Sequence, residues 1–438
     1  MANAQNSVKQ SARKSSVGRA INSTAPVYTF RDAQLRSPLL KTVNALGAGL
    51  GALGKNLPAL GAPKIVAAAQ ARAASSREPD TETNDALERF IASAETEANL
   101  NTFGRLAVKN MLAGSLASRF AVQDWHAQNP LLAEQQVKQP WIIVGLPRTG
   151  TSILSILLGL DPLSRPILQW EARHPIPPAG IAEASEDPRI TALSSEMAKL
   201  KKLNPAIATM HPFGSTLAEE CTAIFTYSLR TIGMETIAYT PSYGNWLDSA
   251  DMAPAYDIHR QTLQALQAVQ PAGHWVLKSP NHLWCLPALL QAYPDARIIW
   301  THRDPSQVLP SLASLNCAMQ MQFTRQLDPV KVGNYWAEKL ETAIEAATEF
   351  DESNSREWCM HVQYEDLVAD PLATLGSIYS RFGASIGDLH QQRVSTWLQQ
   401  KPQHADGKHA YNPADFGWTK QSLQERFRTY RNHYVETC

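Results

Sequence analysis

Cysteine is scarce in this 438-residue chain, and the five present (Cys221, Cys285, Cys317, Cys359 and Cys438) form no close pairs. An odd, scattered set excludes a disulfide framework and a paired-cysteine zinc site, and it predicts a reducing compartment, read here as the cytoplasm. Net charge is missing too. Forty Lys and Arg balance forty Asp and Glu, which excludes a surface devoted wholly to nucleic acid or anionic lipid. Long apolar runs are also lacking. In the Ala/Gly/Leu-rich stretch 39–74 the longest uncharged run, Thr42 to Gly54, has 13 residues. A membrane-spanning helix needs about 20, so none is expected there. A secretory signal is excluded because a long polar stretch separates the start of the chain from that run. No internal repeat is present.

The balanced charge conceals an asymmetry. Residues 1–77 carry eleven Lys and Arg and one acid, Asp32, for a net +10, so residues 78–438 carry −10. Met1 to Ala25 is rich in Ser, Asn, Lys and Arg without apolar periodicity, a composition that predicts disorder. The division expected from these patterns is a basic, poorly ordered segment over 1–80 and one domain over 81–438. Two readings of the segment stay open. It is a surface-seeking stretch making weak membrane contact through residues 1–77, or a loose extension lying on an acidic domain.

Beyond Pro79, Leu87, Phe90, Ile91, Leu100, Leu106, Met111, Leu112, Leu116 and Phe120 recur at helical spacing. Trp141-Ile142-Ile143-Val144-Gly145 is a continuous apolar run of the kind found in a strand covered on both faces. Residues 275–277, 297–301 and, more weakly, 359–364 share that character. Helical stretches are expected at 216–232, 255–269, 282–292, 306–315 and 331–349. Strands alternating with helices imply an α/β fold, a P-loop-type parallel sheet flanked by helices, with an N-terminal helical extension.

Two motifs carry chemistry. The first strand runs into Gly145-Leu146-Pro147-Arg148-Thr149-Gly150-Thr151-Ser152 and then an apolar helix. That is the context in which backbone N–H groups and a helix start cradle phosphate. The glycine spacing is that of the nucleoside-triphosphate loop, but Thr151 stands where that loop has its lysine, and the cation appears earlier, at Arg148. The second motif is Thr301-His302-Arg303-Asp304-Pro305, with Ser311 eight residues after Arg303. A guanidinium at a strand end and a hydroxyl in the following helix suit a second phosphate. Taken alone, each motif also reads as a structural turn or cap.

Together they resemble the sulfotransferase family that uses 3′-phosphoadenosine 5′-phosphosulfate, in its bacterial-type branch. Trp170-Glu171, Pro177-Pro178, Glu219-Glu220-Cys221, Leu277-Lys278-Ser279-Pro280-Asn281-His282 and Tyr293-Pro294-Asp295-Ala296 extend the likeness over about residues 85–435. The resemblance implies that donor as co-substrate, no metal, and transfer to a hydroxyl, less readily an amine, of a small-molecule or saccharide acceptor. It assigns Arg148 to the leaving group. Gly145, Pro147, Thr149, Gly150, Thr151 and Ser152 fall to the 5′-phosphate, and Arg303 and Ser311 to the 3′-phosphate. Lys278 is the candidate for the sulfuryl oxygens, or else a strand-end cation that snorkels. Lys408, in Gly407-Lys408-His409, substitutes for a C-terminal basic element of the family. The base lies between His282, expected near a helix start that keeps the ring neutral, and Glu171. His211 and Glu220 rank behind them. A P-loop kinase or NTPase and a noncatalytic nucleotide-binding protein remain as alternatives.

Overall fold

The computed structural model describes residues 26–33, 37–53, 56–177, 187–203, 214–271, 273–355, 357–400 and 408–436. Pro178, His211 and Gly407 lie outside them. Five parallel strands form the main sheet: β2 (Trp141–Gly145), β3 (Ser164–Pro166), β4 (His274–Lys278), β5 (Arg297–His302) and β6 (Cys359–Gln363), in the order β3-β4-β2-β5-β6. β2 is central, with Ile143 opposite Lys278 of β4 and Gly145 opposite Thr301 of β5. Alternate side chains point to opposite faces. Ile142, Val144, Leu277, Ile298 and Trp300 enter one buried cluster, and Trp141, Ile143, Val276, Ile299 and Val362 the other. Apolar contacts on both faces explain the uninterrupted apolar runs.

The helical pattern over 87–127 divides into α3 (Thr81–Thr96) and α4 (Thr102–Gln128), because Asn101 caps α4 by accepting from the Gly104 N–H at 2.7 Å. The helix expected at 216–232 is corrected to Cys221–Phe225 followed by short 3₁₀ turns. Thr226 and Ser228 donate their hydroxyls to the Ala223 and Phe225 carbonyls, and Leu229 turns left-handed at φ 56°.

Part of the basic segment is described and packs on the remainder of the chain. β1 (Val27–Tyr28) pairs in parallel with β7 (Lys408–His409), and Phe30 lies 5.9 Å, ring to ring, from Phe416. α1 (Pro38–Ala52) and α2 (Ala62–Ala73) follow, and α2 buries Ile65, Val66 and Ala69 in the main core. Basic residues of the segment find partners on the domain: Arg72 donates to Asn110, and Arg77 to Asp124 at 2.6 Å. The acid-rich domain thus receives the basic segment through buried apolar side chains as well as charge.

Candidate active site

Every strand of a parallel sheet ends at the same edge, where such sheets bind ligands. Here the turn after β2 reverses within a few residues. Gly145 has φ 146° and Gly150 φ 90°, and a Cβ on Gly145 would sit 2.4 Å from Thr301 Oγ1. Only glycine fits there. Arg148 also takes a left-handed backbone, φ 70°, at a cost of roughly 1–2 kcal/mol for an L-residue. α5 (Thr151–Leu158) begins at once, with its first N–H groups beyond the reach of helical acceptors. Pro147 lies in the turn. Thr149 is fully buried, and its hydroxyl donates to the Leu146 carbonyl at 2.7 Å and meets Thr301 Oγ1 at 2.7 Å. Its hydroxyl therefore closes the loop from beneath and is taken up by these two contacts.

Three further strand ends meet this loop. Arg148 Nε donates to Ser311 Oγ at 3.2 Å, and Arg303 Nη1 donates to the Arg148 carbonyl at 3.1 Å. The Arg303 guanidinium lies 4.2 Å from the ring centre of Tyr364, the residue after β6, and its Nε is buried without a partner among the described residues. The two motifs, about 155 positions apart in sequence, are in direct contact. Burial lowers the pKa of the Arg148 guanidinium, and the Arg303 charge acts in the same direction, against Tyr411, Tyr364 and Glu220. From β4, Lys278 Nζ donates to Ser152 Oγ at 3.2 Å and to Glu220 Oε1 at 2.5 Å. β5 is held at its end by His302, whose ring nitrogens meet Tyr430 Oη at 2.7 Å and His361 Nδ1 at 2.8 Å.

The two carboxylates and the histidine considered as bases part company. Glu171 is 2% exposed. Its Oε1 accepts from Arg165 Nη2 at 2.6 Å and its Oε2 from the Leu168 N–H at 3.0 Å, at the start of α6 (Gln169–Arg173). Burial pushes its pKa up, against the pull of Arg165. Both of its oxygens serve a cap and an ion pair. His282 is neutral, its pKa pushed down to about 3, and the cause is burial, with Glu220 opposing. It sits in a 3₁₀ turn, Pro280–Cys285, with its Nδ1 2.8 Å from Tyr256 Oη and its ring edge-on to Phe225. The ring is enclosed and its Nε2 has no partner among the described residues. Glu220, ranked low from sequence, is the carboxylate beside Lys278, and it keeps 19% of its side chain exposed.

Lys408 is exposed in β7, whereas its neighbour His409 turns inward, meeting Ser314 Oγ at 2.8 Å. Burial and the Arg148 charge push the His409 pKa down to about 4. Tyr364 and His409 were missed in sequence. The first stands one residue past a strand end, and the second alternates with the lysine that was chosen. Tyr243 and Tyr256 are core residues. Cavities of ≈ 340 and ≈ 420 Å3, lined in common by Lys138, Gly273 and His274, lie toward the opposite, amino-terminal edge of the sheet.

Three buried histidines and the partly buried His409 give a pH dependence. His259, His282, His302 and His409 all have pKa values below the ordinary imidazole value, chiefly through burial. Below about pH 6.5 the unfolded chain binds protons that the folded chain refuses, so stability falls as pH falls. Urea midpoints at pH 7.5, 6.5 and 5.5 are expected to descend, steeply over the last interval; a flat series would contradict it.

A family model described as the sulfotransferase family matches residues 140–388, more than half of the chain. The chain belongs to the sulfotransferase family. The match opens at the foot of β2 and takes in the loop, Lys278, Arg303 and Ser311. Two solved sulfotransferases share the fold. STF9 from Mycobacterium avium is 27% identical with a TM-score of 0.79, covering 87% of this chain and 98% of that one. STF1 from Mycobacterium tuberculosis H37Rv is 28% identical with a TM-score of 0.76, covering 85% and 99%. A curated relative, the omega-hydroxy-beta-dihydromenaquinone-9 sulfotransferase Stf3 of Mycobacterium tuberculosis (strain CDC 1551 / Oshkosh), is 30% identical over 190 residues, 40% of this chain. The same name and figures hold for the Mycobacterium bovis protein. The matched stretch spans about half the length (46%) of these curated relatives. Among the described residues, no helix of this sulfotransferase is long and apolar enough to cross a membrane.

Proposed function

We propose that this sulfotransferase moves the sulfuryl group of 3′-phosphoadenosine 5′-phosphosulfate to a hydroxyl of a small-molecule acceptor. The observation that carries the reading is the contact of Arg148 with Ser311 and of Arg303 with the Arg148 backbone. It joins a lysine-less phosphate loop to a second anion site, as a donor with separate 5′- and 3′-phosphates requires. The Arg303 Nε, buried and without a partner among the described residues, is a donor that such an anion would satisfy. A nucleoside triphosphate has no 3′-phosphate to engage it, and the kinase reading is weaker for that reason.

In this reading the backbone of Gly145, Pro147, Thr149 and Gly150 shapes the cradle, and the N–H groups of Thr149, Gly150, Thr151 and Ser152 hold the 5′-phosphate. Arg303 and Ser311 hold the 3′-phosphate; exposed Lys408 lies at the rim of that half of the site. The donor supplies an electrophilic sulfur with a phosphate as leaving group. Lys278 holds the sulfuryl oxygens, and Arg148 neutralises charge on the departing phosphate oxygen. Glu220 takes the acceptor's proton as the new S–O bond forms and the old one breaks. Glu171 holds Arg165, and His282 packs against Tyr256 and Phe225. The acceptor is read as an alcohol carried on an apolar molecule, since the curated relatives are named for an omega-hydroxy-dihydromenaquinone. Incubation with the labelled donor and a panel of alcohols, phenols, amines and saccharides tests the reading. Products heavier by one sulfuryl group support it, and donor binding without any product would favour the noncatalytic alternative.

Two expectations follow for the donor half. Arg303→Ala should weaken donor binding by about 2–4 kcal/mol and Ser311→Ala by about 1 kcal/mol, while the 3′-dephospho analogue is barely affected. Calorimetry with both ligands checks it, and equal losses would show that the pair does not read a 3′-phosphate. Because Arg148, Lys278 and Arg303 supply the neutralising charge, exhaustive chelation is expected to leave full activity; a strict magnesium requirement would point to the kinase reading.

A further inference from the structure

α1 is docked in one fixed orientation and carries leucines on the face turned away from the protein. Its inner face is small: a Cβ on Gly47 would fall 1.6 Å from Thr102 Oγ1, and Asn44 Oδ1 accepts from the Phe103 N–H at 3.0 Å. These contacts with α4 set the rotation of the helix about its axis. At steps of four and three residues, Leu39, Val43, Leu46, Leu50 and Leu53 then fall on one stripe of α1 and its C-cap. All five are exposed, Leu39 by 72%, Leu46 by 67% and Leu53 by 75%, and Leu57 beyond them by 48%. Most of the remaining outer face is Ala45, Ala48, Gly49 and Ala52, and Lys41 is the sole charge within α1. A water-facing helix would bear charges on these positions.

We propose that this stripe seats on the surface of an anionic lipid bilayer, with α1 lying in the interface plane. Charge chooses the occupant. The stripe sits within the segment of net +10, behind Lys9, Arg13, Lys14 and Arg19 and beside Lys41 and Lys55, in a chain whose remainder carries −10. Leucines on a helix within a basic segment are the combination that binds anionic membrane surfaces, and it requires no spanning helix. A second copy of this chain would set the same +10 against itself. Tyr28 pairs with His409, and the eleven residues from Tyr28 to Leu39 tether the stripe within about 40 Å of that pair. The inference does not rest on the proposed reaction.

The test uses the full chain with phosphatidylcholine vesicles prepared with and without phosphatidylglycerol. Sedimentation with the anionic vesicles is expected, weakening but persisting as salt rises, with little binding to the neutral ones. Leu39→Ser combined with Leu46→Ser should reduce binding about tenfold or more, with little change in the urea midpoint because both side chains already face water. Light scattering of both proteins without lipid completes the set. Undiminished binding by the variant, no binding by the natural chain, or a dimer that the variant dissolves would each overturn the proposal. Activity is not read at any point, so failure here leaves the proposed reaction standing.

Discussion

Arg148→Ala should lower turnover on the order of 10²–10³-fold while donor affinity changes by about tenfold or less. The charge that Arg148 meets is small in the bound donor and grows on the departing phosphate oxygen, so removing it raises the barrier more than it weakens binding. The side chain is partly buried and poised by Ser311, and away from bulk water a cation acts more strongly. Arg148→Lys keeps the charge and loses the planar Nε contact to Ser311, so part of the rate should return. Single-turnover rates set beside calorimetric donor affinities check it. Equal falls in rate and affinity would mean that Arg148 holds the ground state, and its assignment to the leaving group would fail.

The second large effect separates three candidates for the base. Glu220→Gln should slow transfer to an aliphatic alcohol by roughly a hundredfold or more, and transfer to an acidic phenol much less, because the phenol gives up its proton unaided. Glu171→Ala should act on stability instead. It leaves the Arg165 guanidinium buried without its carboxylate, a loss of about 3–5 kcal/mol read as a lowered urea midpoint. His282→Ala opens a gap against Tyr256 and Phe225, and its effect on rate should be the same for every acceptor. An acceptor-dependent loss in the His282 or Glu171 variant, and none in Glu220→Gln, would return the base to the sequence ranking.

The low place of Glu220 in the sequence ranking has a physical reason. In sequence it is one of two adjacent acids before a short helix, and nothing local distinguishes it from a cap. Only the pairing of β2 with β4 brings Lys278, and with it Glu220, to Ser152 at the head of α5. Glu171 is the opposite case: its likeness to a family motif is legible in sequence, whereas the local demand of Arg165 and the Leu168 N–H is not. The neutral state of His282 was legible from its expected place at a helix start, although the cause is burial and not the helix end. The loop was the most legible part because its chemistry is nearly contiguous in sequence. Even there, Thr149 turned inward toward Thr301, a residue of another strand. The basic segment was the least legible. Its alanines and glycines carry little periodicity, and what orders α1 and α2 is the surface of α4, far along the chain.

The measurement that bears most directly on the account is calorimetric titration of the metal-free chain with adenosine 3′,5′-bisphosphate, adenosine 5′-monophosphate and ATP. The account expects the bisphosphate to bind tightest, by a factor of about thirty or more over the monophosphate, since a charge-assisted contact is worth roughly 2–3 kcal/mol. That advantage should vanish in Arg303→Ala. Tighter binding of ATP, or equal binding of the bisphosphate and the monophosphate, would contradict it.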